Sequence, residues 1–150
     1  MAKNHARFDA STARAYTRRQ TVHRPESPLK LHLAHPEDNK LFTSYADDHV
    51  VVSRERFDAN IVVHTHEVLT DWDAQNFDSL TEAHFEYFLA LKPEVVLIGT
   101  GKKQRFAHPR LYRSLTEAGI GVEFMDTPAA CRTYNILAEE DRKVVAAILL

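Results

Sequence analysis

The stretch EVVLIGTG, residues 94–101, decides the fold of this chain. Residues 95–98 are an unbroken apolar run with three β-branched members, a pattern typical of a strand that is buried on both faces. All four glycines of the chain lie between residues 99 and 121, and two of them, Gly99 and Gly101, directly follow this run. The stretch therefore predicts a central strand with a tight glycine exit.

A helix, a second strand and a second helix are predicted to follow. Pro109 can begin the first helix and Gly119 lies just past its expected end. Residues 121–125, GVEFM, predict the next strand, and Asp126 then predicts the N-cap of a helix over residues 128–140. A right-handed crossover makes the two strands parallel. Their carboxyl ends then face the same edge of the sheet, where open α/β sheets place ligands.

The rest of the chain adds mainly β structure. Residues 29–33 alternate apolar and polar side chains, residues 41–53 predict a hairpin around an acidic turn, and residues 61–69 predict two short strands. A helix is expected from Ser79 or Thr81 to Lys92. Residues 144–150 are almost wholly apolar and predict a central strand that closes the sheet. This order, β-rich first and α/β afterwards, fits one compact domain.

Composition narrows the classes of function. The chain has 150 residues and a net charge of −2, so no general attraction to nucleic acid is expected. Its one cysteine, Cys131, excludes an intramolecular disulfide and indicates a reducing compartment. No apolar run approaches the roughly 18–20 residues that span a bilayer, so no transmembrane segment is expected.

Residues 1–28 are predicted to be a disordered basic arm, separate from a folded domain over residues 29–150. They carry six Lys/Arg against two acidic residues and few apolar side chains. Such a segment buries too little surface to offset its ordering entropy. Three interpretations stay open: a tail without a role, an organellar transit peptide, and an arm that binds RNA or anionic lipid.

The loop that contains Gly99 and Gly101 suggests phosphate binding, but the spacing of its glycines does not support this interpretation. Lysines and Arg105 follow Gly99 and Gly101, and backbone amides of such loops hold anions. The dinucleotide fingerprint, however, needs glycine at position 104, where Gln104 stands, and the phosphate-binding P-loop pattern is absent. No cofactor is therefore predicted. The alternative is that the glycines only permit the strand to turn.

Two further motifs carry possible chemistry. Cys131 is expected near a helix N-terminus and beside Arg132, which both lower a thiol pKa and would suit a nucleophile. No histidine that could act as its base is near in sequence, and a lone cysteine on a helix is more often a small buried hydrophobe. His64 and His66 are expected on the same side of a strand, which is half a metal site. Because the cysteine lacks a base and the histidine pair lacks a third ligand, neither a catalytic residue nor a metal ligand is assigned.

A polar set at the carboxyl edge forms the predicted binding site for a ligand or partner. Arg105 and Arg132 are expected to hold a carboxylate or phosphate between them, with a structural ion pair of Arg132 and Asp126 as the alternative. The predicted site residues are Gly99, Thr100, Gly101, Gln104, Arg105, Asp126, Thr127, Cys131, Arg132, Thr133 and Asn135.

These motifs together resemble one family of small domains. The residues that carry the resemblance are 94–101, 104–106, 119–127 and 130–137, and the likeness extends over about residues 29–150. The family comprises bacterial and archaeal domains of uncharacterised function and includes the mitochondrial assembly factor 3 of respiratory complex I. The resemblance implies a single three-layer α/β domain with a mixed central sheet and an additional N-terminal β layer. It implies no established enzymatic activity.

The sequence and the resemblance lead to one main functional hypothesis. We expect a non-enzymatic protein-interaction module that assists the assembly of a membrane respiratory complex, with a protein partner and no cofactor. The alternative is a small-molecule enzyme or sensor that binds an anion at the carboxyl edge. A cytoplasmic location is expected, with peripheral binding at the inner membrane as the alternative. Exposed strand edges can pair with those of a second copy, so a homodimer stays an alternative.

Overall fold

Two β-sheets and three α-helices make up residues 38–150, the part of the chain that this computed structural model describes. These residues lie within one compact unit. The predicted strand over residues 29–33 and the predicted basic arm over residues 1–28 lie outside the described residues. Both stay predictions.

The smaller sheet is an antiparallel meander of three strands, β1 (Phe42–Tyr45), β2 (Val50–Val52) and β3 (Glu55–Phe57). Strands β1 and β2 pair as predicted, around a connection that contains the two aspartates. Sequence analysis missed β3. Its turn is formed by Ser53 and Arg54, which have φ angles of +47° and +77°. Two-residue turns with two positive φ angles usually carry Asn-Gly, so Ser-Arg gave no hairpin signal.

The larger sheet has five strands: β4 (Ile61–His64), β5 (Glu67–Leu69), β6 (Val95–Gly99), β7 (Gly121–Met125) and β8 (Val144–Ile148). Their spatial order is β5-β4-β8-β6-β7. Strand β6 runs parallel to β7 and β8, while β4 runs antiparallel to β5 and β8. The mixed sheet and the central, fully buried β8 are confirmed. The strands of residues 61–69 belong to this sheet and not to the N-terminal β layer.

The helices are α1 (Glu82–Glu86), α2 (Arg113–Glu117) and α3 (Thr127–Glu139). The long helix expected up to Lys92 is shorter, because α1 continues as a 3₁₀ helix over Tyr87–Leu91. Phe88 and Leu91 of this segment both pack in the core, and a 3₁₀ helix places residues three apart in line. Two more 3₁₀ helices lie at Phe77–Ser79, before α1, and at Pro109–Tyr112, which leads into α2.

The larger sheet separates two hydrophobic cores. Helices α1 and α2 cover one face, where Phe85 and Leu115 pack against Ile98. Helix α3 and the smaller sheet cover the other face, where Tyr134 and Phe42 lie with their rings 5.3 Å apart. The result is a three-layer α/β domain with an additional β layer, as the resemblance implied.

Candidate functional site

Helix α3 packs unusually close to the sheet at Gly99, the last residue of β6. A Cβ atom at this position would lie 3.0 Å from Ile148 Cδ1, 3.0 Å from Thr127 Oγ1 and 3.2 Å from Ala130 Cβ. These distances are tighter than ordinary van der Waals contact, so a side chain here would require its neighbours to shift by a few tenths of an ångström. The glycine therefore permits the close approach of α3.

The Thr127 hydroxyl fastens the first turn of α3 to the end of the sheet. It donates to the Leu149 carbonyl at 2.8 Å and accepts from the Gly101 amide at 2.9 Å. The Thr127 amide also donates to the Gly101 carbonyl at 2.8 Å. Gly101 has a φ of +92°, a conformation that favours glycine. We call these contacts the Thr127 clamp.

The loop after β6 is held by its own side chains. The Thr100 hydroxyl, which is buried, donates to the Lys103 carbonyl and accepts from the Arg105 amide at 3.1 Å. The Gln104 amide group donates to the carbonyl of Phe124 in β7 at 2.9 Å. Thr100 and Gln104, two of the predicted site residues, thus bind backbone groups with their side chains. These hydrogen bonds fix the positions of the exposed residues between them.

The structure gives Arg105 and Arg132 different neighbours. Arg105 binds both carboxylate oxygens of Asp78 and lies 4.3 Å above the Phe77 ring. Arg132 donates to the Tyr45 hydroxyl at 3.0 Å. Asp126 does not pair with Arg132 but caps α3 by accepting from the Ala129 amide at 2.8 Å. The structure therefore shows no shared role for the two guanidinium groups.

Cys131 faces the core, in agreement with the interpretation as a small buried hydrophobe. Its side chain is buried between α3 and the sheet. Burial raises the pKa of the thiol to about 12, and the smaller opposing effect of Arg132 does not compensate. The pKa is not lowered, because desolvation outweighs the helix terminus and the neighbouring cation. Cys131 is a small apolar core residue.

Asn135 has a structural contact that the sequence did not reveal. Its side-chain oxygen accepts from the Phe42 amide at 2.9 Å, and its nitrogen donates to the Phe42 carbonyl at 2.8 Å. The side chain therefore continues the hydrogen bonding of β1 and joins α3 to the smaller sheet. Thr133, two residues earlier, is half-buried.

The two histidines expected on one strand face are separated by a turn. Strand β4 ends at His64, and Thr65 and His66 form the two-residue connection to β5. The expectation of a shared strand face is wrong because the strand ends one residue after Val63. Within residues 38–150, no group of three or more His, Cys, Asp or Glu side chains is placed to hold a metal ion.

One exposed feature of this edge was not predicted as a site residue. Phe106 is 71% exposed, and its ring centre lies 6.2 Å from that of Phe124. It ends a run of exposed residues, 102–106, which we call the 102–106 loop. The only signal for Phe106 in the sequence was an aromatic residue close after Lys102, Lys103 and Arg105. Among the described residues, no helix is long and apolar enough to span a membrane.

A sequence match identifies the family of this chain. Residues 42–149 match the family described as "Protein of unknown function (DUF498/DUF598)". Because this match covers more than half of the chain, the chain belongs to that family, and the resemblance stated from the motifs is confirmed.

Two relatives and one solved structure are similar to this chain. The NADH dehydrogenase (ubiquinone) 1 alpha subcomplex assembly factor 3 of Mus musculus is 36% identical over 85 residues, which are 55% of this chain and 46% of the mouse protein. A "13 kDa major membrane protein" of Francisella tularensis subsp. holarctica is 30% identical over 109 residues, 72% of this chain and 89% of that protein. A crystal structure of a Bordetella parapertussis protein shares 38% identity with a TM-score of 0.70, covering 74% of this chain and 95% of that one.

The close packing at Gly99 generates a stability prediction. Gly99→Ala should lower the free energy of unfolding by about 1–3 kcal/mol, because the added methyl group overpacks the contact between α3 and β8. Gly121→Ala is the matched control, since a Cβ atom there would lie 3.6 Å or more from its neighbours. Urea unfolding of both variants measures the difference. An equal effect of the two substitutions would contradict this role of Gly99.

The burial of Cys131 generates a reactivity prediction. A pKa of about 12 leaves almost no thiolate at pH 8, and the thiolate is the reactive form. Because the pKa is raised, reactivity should appear only as the pH rises toward that value or when the protein unfolds. Mass spectrometry after iodoacetamide treatment at pH 8 should show unmodified native protein and fully modified protein in urea. Rapid alkylation of the native protein would contradict the assignment.

Proposed function

We propose that this domain is a non-enzymatic protein-interaction module that assists the assembly of a membrane respiratory complex. The observation that carries the proposal is the similarity to relatives named as complex I assembly factors, among them the mouse protein and a bovine protein 32% identical over 126 residues. This chain spans 46% of the length of the mouse protein and 63% of that of the bovine protein.

The contacts at the carboxyl edge support an interaction role over a chemical one. The Thr127 clamp, Thr100 and Asn135 use their polar side-chain atoms within the domain. The Cys131 thiol is buried and protonated at neutral pH. Thr100, Thr127, Cys131 and Asn135 are thus engaged within the domain, whereas Arg105 and Arg132 make exposed contacts with Asp78 and Tyr45.

The 102–106 loop supplies the exposed surface that a partner would contact. Phe106 is the most exposed of the large hydrophobic side chains in the described residues. Lys102 forms an exposed ion pair with Asp47 at 3.3 Å, and Arg105 is fixed by Asp78. An aromatic side chain with an arginine beside it is the composition that interface centres favour. We place the partner contact on this loop, with Phe106 as its anchor.

The proposal predicts a specific loss of partner proteins. Phe106→Ala should reduce the recovery of respiratory-complex subunits about tenfold or more in a tagged pull-down from detergent-solubilised native cells, because removing a central aromatic anchor typically costs 2 kcal/mol or more of binding. Ile136→Ala, on the exposed face of α3 and 57% exposed in the parent, is the matched control and should leave recovery unchanged. Mass spectrometry quantifies the subunits.

Two results would count against the proposal. Recovery of no respiratory-complex subunit with the parent protein would refute the assembly role. Recovery that is lost equally with Phe106→Ala and Ile136→Ala would keep a partner but remove the loop as its contact. Thermal unfolding of both variants must first show that each is folded.

A further inference from the structure

Strand β7 forms one edge of the larger sheet, and within residues 38–150 it pairs with β6 alone. It has five residues, whereas β5, the strand at the other edge, has three. An edge strand presents a row of N–H and C=O groups that can pair with another extended chain. We call the side of β7 that points away from β6 the free edge.

The pairing with β6 determines which groups lie on the free edge. The Gly121 amide donates to the Glu94 carbonyl at 3.1 Å, just before β6 begins. In a parallel ladder, the N–H and C=O groups of one residue face the same neighbour, and successive residues alternate between the two sides. Val122 and Phe124 therefore direct their amide and carbonyl groups away from β6.

The Gln104 side chain already occupies one position of the free edge. Its amide group donates to the Phe124 carbonyl at 2.9 Å, as the N–H group of a neighbouring strand would. Three outward groups remain without a strand partner in the described part of the chain: the amide and carbonyl of Val122 and the amide of Phe124. The Gln104 contact shows that a donor can reach this edge at hydrogen-bond distance.

The side chains beside the free edge differ between the two faces of the sheet. Val122 and Phe124 face the core that α1 and α2 cover, and Val122 is only half-buried. The exposed Phe106 ring, 6.2 Å from that of Phe124, extends this apolar surface. Glu123 points to the other face and is exposed. A strand placed here would thus have alternate side chains on the apolar surface and the others beside a carboxylate.

We propose that the free edge of β7 binds an extended segment of the partner protein as a further strand of the larger sheet. Hydrogen bonds to Val122 and Phe124 supply affinity, and the side chains of the segment supply specificity. The segment has apolar side chains at every second position, next to Phe106, and no carboxylate opposite Glu123, where like charges repel. This inference rests on the proposed partner contact of the 102–106 loop and adds the form in which the partner binds.

The first test measures amide hydrogen exchange by NMR in the full chain. The probe is a short peptide of alternating valine and lysine residues with blocked termini. In the free protein, exchange should be fast at Val122 and Phe124 and slow at Glu123, whose amide faces β6. The peptide should slow exchange at Val122 and Phe124 by about tenfold or more.

Two outcomes of the exchange experiment overturn the proposal. One is unchanged exchange at both amides when the peptide is in excess. The other is slow exchange at Val122 in the free protein that becomes fast on dilution, because a second copy then occupies the edge.

The second test removes the outward N–H group with Val122→Pro. Proline is tolerated on edge strands where the N–H side faces solvent, and this amide does not bond to β6. Val122→Thr is the matched control, because it keeps the N–H group and the branched shape. Peptide affinity by calorimetry should fall about fivefold or more with proline alone, since one hydrogen bond is lost. Equal affinity of both variants overturns the proposal, and if Val122→Pro is unfolded, the exchange measurement decides.

The tagged pull-down separates this inference from the proposed function. If Phe106→Ala loses the respiratory-complex subunits while folded Val122→Pro retains them, the partner contact stands and strand addition is wrong. If the parent recovers no such subunit but binds the peptide as expected, the free edge accepts a strand and the assembly role is wrong.

Discussion

The architecture depends on the close approach of α3 to the carboxyl end of the larger sheet. Gly99 permits this approach, because any side chain there would meet Ile148, Thr127 and Ala130 at 3.0–3.2 Å. The Thr127 hydroxyl then bridges the Gly101 amide and the Leu149 carbonyl, two backbone groups at the ends of neighbouring strands. Ile148 and Ala130 belong to the same core as Tyr134 and Cys131, so this contact lies at the edge of that core.

This constraint also determines which surfaces are available for function. At the edge where parallel α/β sheets place ligands, Thr127 in the first turn of α3 binds the Gly101 amide and the Leu149 carbonyl. The exposed 102–106 loop lies beside that edge, and the proposed partner contact is on this loop. Family membership fixes the fold, whereas the proposed partner contact rests on side chains of this chain.

The sequence predicted the central unit well because its signals are local. The apolar runs of β6, β7 and β8 and the Asp126 cap of α3 each carry a strong pattern. It missed β3, whose Ser-Arg turn lacks the usual residues. The ends of the predicted strands correctly indicated that the predicted site residues lie at one edge. The sequence alone does not show that Thr127 and Cys131 point into the core. It also does not show that Asp78, which is distant in sequence, binds Arg105.

The most direct test of the central claim is the unfolding free energy of Thr127→Val, compared with Thr133→Val on the same helix. Valine keeps the shape and removes the hydroxyl. Because two buried backbone groups lose a partner, Thr127→Val should lower the free energy of unfolding by about 1–3 kcal/mol. Thr133→Val, at a half-buried position, should change it by less than about 0.5 kcal/mol. Full stability of Thr127→Val would contradict the claim that these motif residues serve the fold.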